Sequence, residues 1–328
     1  MTLKLAVIGV GHWHAARHLD AFRRAGASVL GVHDGLRDVA DRSAHALGVP
    51  AYASHHDLLD AGPDLVLAMP RHRDAPALLA DLVRRNVPFV VEKPAATAAP
   101  DLLPHVLAVE AQNQFAAVPL INRYSAFWTE VGRQREDGLL RPVSAARFRI
   151  VNGPPSRYLD DGVGWVLDPA VAGGGALRNL GTHTVDAYLS LAAGTVEVVG
   201  GALTSRQHGL PVEEHAAAIL RDGAGLIGIV EVGYSRPDDD GTDHEWCVAG
   251  RGAYVTELHD TVHIVTARQH LTVPSPTVLE RYRLFAADVV DRLRRGEPTP
   301  VPLRDCWRSL DVIDRIYAHA LSRTGAHP

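Results

Sequence analysis

The sequence predicts an α/β domain built on a doubly wound parallel sheet, followed by a second, strand-rich half. Three observations predict it. Short apolar runs alternate with helical patterns over roughly the first 120 residues. A glycine pair occupies the turn after the first run. From Ala146 onward the apolar positions alternate singly, the period of strands with one covered face.

The apolar runs at 5–8, 29–32, 65–69, 89–91 and 116–120 suit buried parallel strands. Between them, Ala75, Leu78, Leu79, Leu82 and Val83 fall at helical spacing, closed by Arg84 and Arg85. The segment 38–47 stops at Gly48-Val49-Pro50, a helix end followed by a short strand. In the second half, strand patterns recur at 146–150, 196–203, 216–220, 226–232, 245–249 and 253–258. Turn-rich segments such as Asp238-Asp239-Asp240-Gly241 separate them, and that acidic run reads as a solvated loop. A closing helix carries Cys306, Leu310, Ile313, Tyr317 and Ala320 on one stripe, which makes Cys306 a core residue.

A chain of 328 residues accommodates two domains, and 46% hydrophobic with 22% charged residues is a globular balance. Net charge −5, with no Lys/Arg block, argues against a nucleic-acid partner. No apolar window reaches the length of a membrane span, and no basic region precedes an apolar stretch at the start. Cys247 and Cys306 are far apart, so buried thiols in a cytoplasmic protein are expected, with neither a disulfide nor a metal site. His12-Trp13-His14 is the best metal-like group, but it reads more simply as part of a cofactor loop. Of 33 Lys and Arg residues only Lys4 and Lys93 are lysines. Lys4 begins a strand, so Lys93 is the one that calls for a chemical reason.

The turn after the first strand reads Gly9-Val10-Gly11-His12-Trp13-His14. It holds two of three fingerprint glycines, with His14 in the third place. Gly9 permits the tight turn, and Gly11 lets the backbone approach a pyrophosphate at the helix N-terminus. Asp34 ends the second strand, where a carboxylate accepts from ribose hydroxyls and repels a 2′-phosphate. NAD is therefore expected over NADP, with capping of the next helix as an additional role for Asp34. This is the signature of a Rossmann domain.

Val91-Glu92-Lys93-Pro94, Asn122-Arg123-Tyr124 and the run from Gly173-Gly174-Gly175 through Asn179, Gly181, His183 and Asp186 follow in order. Together they resemble the glucose–fructose oxidoreductase / inositol dehydrogenase / MocA (Gfo/Idh/MocA) family across nearly the whole chain. The resemblance implies a cofactor domain at 1–121 and a substrate and dimerisation domain at 122–328, the latter with an open, largely antiparallel sheet. The closing helix is free to pack back toward the first domain. The implied chemistry is hydride transfer between NAD and a secondary alcohol or ketone of a sugar or polyol. A homo-oligomer, dimer or tetramer, is implied as well.

The same resemblance implies that Lys93 touches the nicotinamide and the reacting oxygen, with His183 as acid/base. Gly9, Gly11, His12, Trp13, His14, Asp34, Met69, Pro70, Glu92 and Lys93 are then expected around the cofactor. Arg123, Tyr124, Trp165 and Asp186 are expected as walls of the substrate pocket, with packing at the domain junction an equal reading of Arg123 and Tyr124.

Asn179, His183 and Asp186 share one helical face by their spacing, with Leu177, Leu180, Ala187, Tyr188 and Leu191 on another. Two departures stand out. Asn179 replaces the family's aspartate, and an amide orients an imidazole without offsetting its charge. Pro70-Arg71-His72-Arg73-Asp74 replaces Pro-Asn-x-x-His, with Asp74 expected to cap the following helix. Two other functions are compatible with these changes: an enzyme that recycles a retained nicotinamide, and a non-catalytic NAD-binding regulator.

Overall fold

A computed structural model describes residues 2–238 and 242–324. Of the expected acidic turn, Asp239, Asp240 and Gly241 lie outside the described residues. The first half runs β1 (Leu3–Ile8), α1 (Ala15–Arg24), β2 (Ala27–His33), α2 (Arg37–Leu47), α3 (His55–Asp60), β3 (Leu65–Ala68), α4 (Ala75–Arg84), β4 (Phe89–Val91), α5 (Ala99–Ala111) and β5 (Ala116–Ala117). Its five strands pair in parallel, in the order β2-β1-β3-β4-β5. The chain leaves β1 to one side for β2 and to the other for β3. That reversal opens a crevice at the carboxyl ends of the strands, the place where such sheets bind ligands. β1, β3 and β4 are buried along almost their whole length, as strands covered on both faces must be.

The second half runs α6 (Ala126–Glu136), β6 (Val143–Asn152), α7 (Ser156–Asp160), α8 (Pro169–Ala172), α9 (Ala176–Leu189), β7 (Val196–Thr204), β8 (His215–Asp222), β9 (Ile227–Gly233), β10 (Thr242–Gly250), β11 (Ala253–Leu258), β12 (Thr261–Thr266), β13 (His270–Pro274), α10 (Val278–Arg295) and α11 (Leu303–Thr324). Eight strands form one sheet in the order β13-β12-β11-β10-β6-β9-β8-β7. All neighbours are antiparallel except β6 and β9. In β6, Ala146, Phe148 and Ile150 point into the core, while Arg147 and Arg149 pair with Glu245 and Glu231 on the other face.

The last two helices tie the halves together. Tyr282, Phe285, Ala286, Val289 and Val290 of α10 complete the core of the first half, where α10 packs on α1. Along α11, Leu303, Cys306 and Leu310 join that same core, whereas Val312, Ile313 and Ile316 join the second. One helix contributing to both cores holds the crevice of the first sheet against the inner face of the second. α10 begins with a capping box in which Thr277 and Glu280 satisfy each other's backbone N–H, and ends at the left-handed Gly296.

Candidate active site

Gly9 follows β1 with φ +78°, and a Cβ there would lie 2.2 Å from the Met69 carbonyl oxygen. Only glycine lets the β1 and β3 loops approach this closely. Two residues on, Gly11 N–H donates to Asp34 Oδ2 at 2.9 Å, and Leu36 N–H donates to Oδ1 at 2.9 Å. Leu36, not Asp34, occupies the N-cap of α2, which corrects the expected helix cap. Asp34 instead locks the glycine turn to the end of β2, with lone pairs left for ribose hydroxyls. The cradle at Gly9 and Gly11, with Asp34 beside it, fits a dinucleotide.

His14, in the third glycine place, turns its ring across to Glu92. Its Nδ1 lies 2.9 Å from Glu92 Oε1, and His18 Nε2 lies 2.8 Å from the same oxygen. Glu92 Oε2 accepts the Lys93 backbone N–H at 2.9 Å. Burial alone would raise the Glu92 pKa, but the two imidazoles hold it well below the usual carboxylate range. Burial pushes His14 down to about 4 despite Glu92. His12 stacks on Trp13 at 3.8 Å between ring centres, and Trp165 leans over both. His72 joins this aromatic group, 5.0 Å from Trp165, and is hydrogen-bonded through Nδ1 to the Ala172 carbonyl at 2.8 Å. Pro70 follows Met69 at the crevice. Asp74 stands at the N-cap position of α4 without capping it, because its carboxylate pairs with the exposed Arg71.

Lys93 leaves the end of β4 and is buried. Its Nζ donates to the Asn179 backbone oxygen and to Asn179 Oδ1, each at 2.9 Å. Burial lowers its pKa, and only the more distant Glu92 and Cys306 oppose that. Asn179 Nδ2 in turn donates to the Tyr158 and Tyr234 hydroxyls at 2.9 and 3.0 Å. His183 stands one turn further along α9, its Nδ1 unpartnered, and burial holds its pKa well below the ordinary imidazole value.

α9 is buried on every side from Ala176 to Tyr188 except at His183. Its start is fixed by Glu213, whose carboxylate accepts the N–H groups of Gly175 and Leu177. A Cβ at Gly175 would lie 2.1 Å from the Glu213 carbonyl oxygen, so this end of the triple glycine is a steric requirement.

The polar stripe of α9 divides. Asn179 and His183 line a cavity of about 360 Å³ together with Trp13, His14, Lys93 and Tyr158. Asp186 instead pairs with Arg123 at 2.6 and 2.9 Å, and Arg123 also reaches Asp305 at 2.8 Å. Tyr124 donates to Asp288 of α10 at 2.8 Å. None of Arg123, Tyr124 and Asp186 lines the cavity: Arg123 and Tyr124 take the junction-packing role, and Asp186 leaves the expected wall. They form ionic and hydrogen-bonded ties between α9, α10 and α11. Trp165 meets the glycine loop rather than the cavity itself.

Sequence reasoning missed Tyr158, Tyr234, Arg17, Arg157 and His244. Arg17 and Arg157 line the cavity without a carboxylate partner within 4 Å among the described residues. His244 also lines it, with Nε2 unpartnered and burial holding it down to about 3. No spacing marks these residues, since they come from four separate parts of the chain: α1, α7, the end of β9 and β10. The Thr277–Glu280 spacing is the signal that could have marked α10, which brings Arg281 and Tyr282 to the same wall.

Residues 3–119 match the oxidoreductase family model with the NAD-binding Rossmann fold, and residues 135–256 match the GFO/IDH/MocA C-terminal domain model. No curated protein matches the chain. Among solved structures, a levoglucosan dehydrogenase in complex with NADH and levoglucosan superposes with TM-score 0.87 at 15% identity, covering 98% of both chains. An oxidoreductase from Agrobacterium radiobacter in complex with NAD+, L-tartaric acid and magnesium gives 0.84 at 18%, covering 98% of this chain and 97% of that one. The UDP-N-acetylglucosamine 3-dehydrogenase from Acidithiobacillus ferrooxidans gives 0.81 at 16%, covering 98% and 99%. These likenesses establish the shared two-sheet fold. With both family models matched in order along it, the chain belongs to the Gfo/Idh/MocA oxidoreductases and carries their NAD-binding Rossmann domain.

Proposed function

We propose that this NAD-dependent oxidoreductase acts on a carbohydrate-like secondary alcohol or ketone, with His183 as the base and Lys93 as its electrostatic partner. The observation that carries this reading is the convergence of Lys93 Nζ and the His183 ring on one cavity beside the dinucleotide crevice. The nicotinamide, when bound, supplies the hydride acceptor or donor. The protein's part is to orient the alcohol and manage its proton. His183 is uncharged at neutral pH because burial disfavours the imidazolium, so it is poised to accept a hydroxyl proton. Lys93 holds the same oxygen and favours negative charge developing on it. Polar side chains around the cavity (Asn152, Asn122, His244 and Asp260) suit a ligand with several hydroxyls. Residues 1–121 serve as the cofactor domain and 122–328 as the substrate domain.

Homo-oligomerisation belongs to the same reading. Val199, Ile219, Ile227 and Ile229 are exposed apolar residues on neighbouring strands β7, β8 and β9, a patch suited to a second copy. Light scattering on the purified protein tests this. The reaction itself is tested by screening sugars, polyols and sugar acids for NADH formation, with His183→Ala as control. Loss of activity with retained NADH binding is the expected result. Tight NADH binding with no substrate oxidised in the whole panel would overturn the proposal.

A further inference from the structure

The hydrogen bonds around Asn179 have only one consistent direction. Lys93 Nζ donates to Oδ1, so the amide NH2 faces the two phenols and donates one hydrogen to each. Tyr158 and Tyr234 are therefore both acceptors toward Asn179, and each must turn its own proton elsewhere. Tyr234 is fully enclosed, with Tyr158 as its neighbour at 5.3 Å between ring centres. The Tyr158 oxygen accepts from the Asn179 amide. Its own proton meets no acceptor among the described residues, and the side chain lines the cavity that holds Lys93 and His183.

We propose that Tyr158 is a further catalytic residue, donating a hydrogen bond to the substrate oxygen that Lys93 also holds. The assignment rests on the hydride-transfer reading above. Its physical origin is Asn179. A carboxylate at this position has no hydrogen to give, so both phenols would donate to it and Tyr158 would face inward. The amide instead donates to the Tyr158 oxygen and turns the phenol's proton toward the ligand. Arg157 and Asp161, near Tyr158 on its own turn, and Lys93 beyond the amide are the other charged groups around the phenol.

The test has two arms. The tyrosine Raman doublet distinguishes accepting from donating phenols, and the wild-type minus Tyr158→Phe difference isolates Tyr158 without any substrate. An acceptor-type doublet that becomes donor-type in Asn179→Asp is expected. In kinetics with the best substrate of the panel, Tyr158→Phe should lower kcat about 100-fold with KM little changed. In the Asn179→Asp background the same change should cost less than about tenfold, because there the phenol already faces inward. A donor-type doublet in the wild type, or an unchanged kcat in Tyr158→Phe, overturns the assignment. If NADH binds but no panel member is oxidised, the proposed reaction fails, and the Raman arm still decides which way Tyr158 points.

Discussion

Lys93 Nζ lies 2.9 Å from both oxygens of Asn179, so a buried ammonium is held by two neutral acceptors and, among the described residues, forms no ion pair with a carboxylate. Desolvation lowers its pKa, and the neighbouring amide adds no charge to raise it again. Asn179→Asp supplies that charge. The ammonium should then persist to higher pH, and the alkaline limb of kcat/KM should move upward. A pH profile identical to wild type would show that the titration of Lys93 does not govern the rate.

Asp34 accepts from Gly11 and Leu36 and flanks the expected ribose position. Asp34→Ala strands both N–H groups and removes the charge that opposes a 2′-phosphate. NADH affinity should fall about 10- to 100-fold, the equivalent of one or two charge-assisted hydrogen bonds. Preference over NADPH should narrow. Energy transfer from tryptophan to the bound dihydronicotinamide measures both, and an unaltered preference would remove Asp34 from the ribose.

His72 is buried with its Nδ1 hydrogen-bonded to Ala172, and burial holds its pKa down to about 3 against an ordinary 6.5. The folded value lies below the unfolded one, so the unfolded chain takes the proton first. Stability is therefore full above pH 6.5 and falls as pH drops toward 3. The loss is about 2 kcal/mol between pH 6.5 and 5 from this one histidine. Urea midpoints across that range should show the slope, and His72→Asn, which keeps a donor for Ala172, should flatten it.

Arg281 and Glu257 form a fully buried pair at 2.6 Å, and Ser125 donates to the other Glu257 oxygen at 2.7 Å. Glu257→Gln leaves the guanidinium without its counter-charge. Such a loss costs about 3–5 kcal/mol, so Tm should fall by several degrees. A Tm within a degree of wild type would mean that the pair contributes little beyond packing.

Most of the first half was legible because its signals are local. All five strands stand where apolar runs predict them, and β11 matches its predicted limits, 253–258, at both ends. Gly48 ends α2 at the stop the sequence marks, in the left-handed conformation. In the second half, β12 and β13 carry weaker patterns. β13 is exposed along most of its length, and so lacks the alternation that marks a half-covered strand. Lys93, Asn179 and His183 were legible through motifs, and they do meet in one cavity. Asp186 shares their helical face but lies about a turn beyond His183, where Arg123 and Asp305 claim it.

The sequence by itself determined where the chain turns, which segments become strands and helices, and which residue types stand at the crevice. Those properties follow from backbone conformation, side-chain period and glycine sterics, all of which act over a few residues. Only the tertiary structure decided what each polar group faces. It paired His14 with Glu92, 78 residues away, drew Arg123 and Tyr124 out of the pocket wall, and set Asn179 between Lys93 and two tyrosines. The reason is that a buried donor or acceptor must find its partner among groups brought near by packing, and packing ignores distance along the chain.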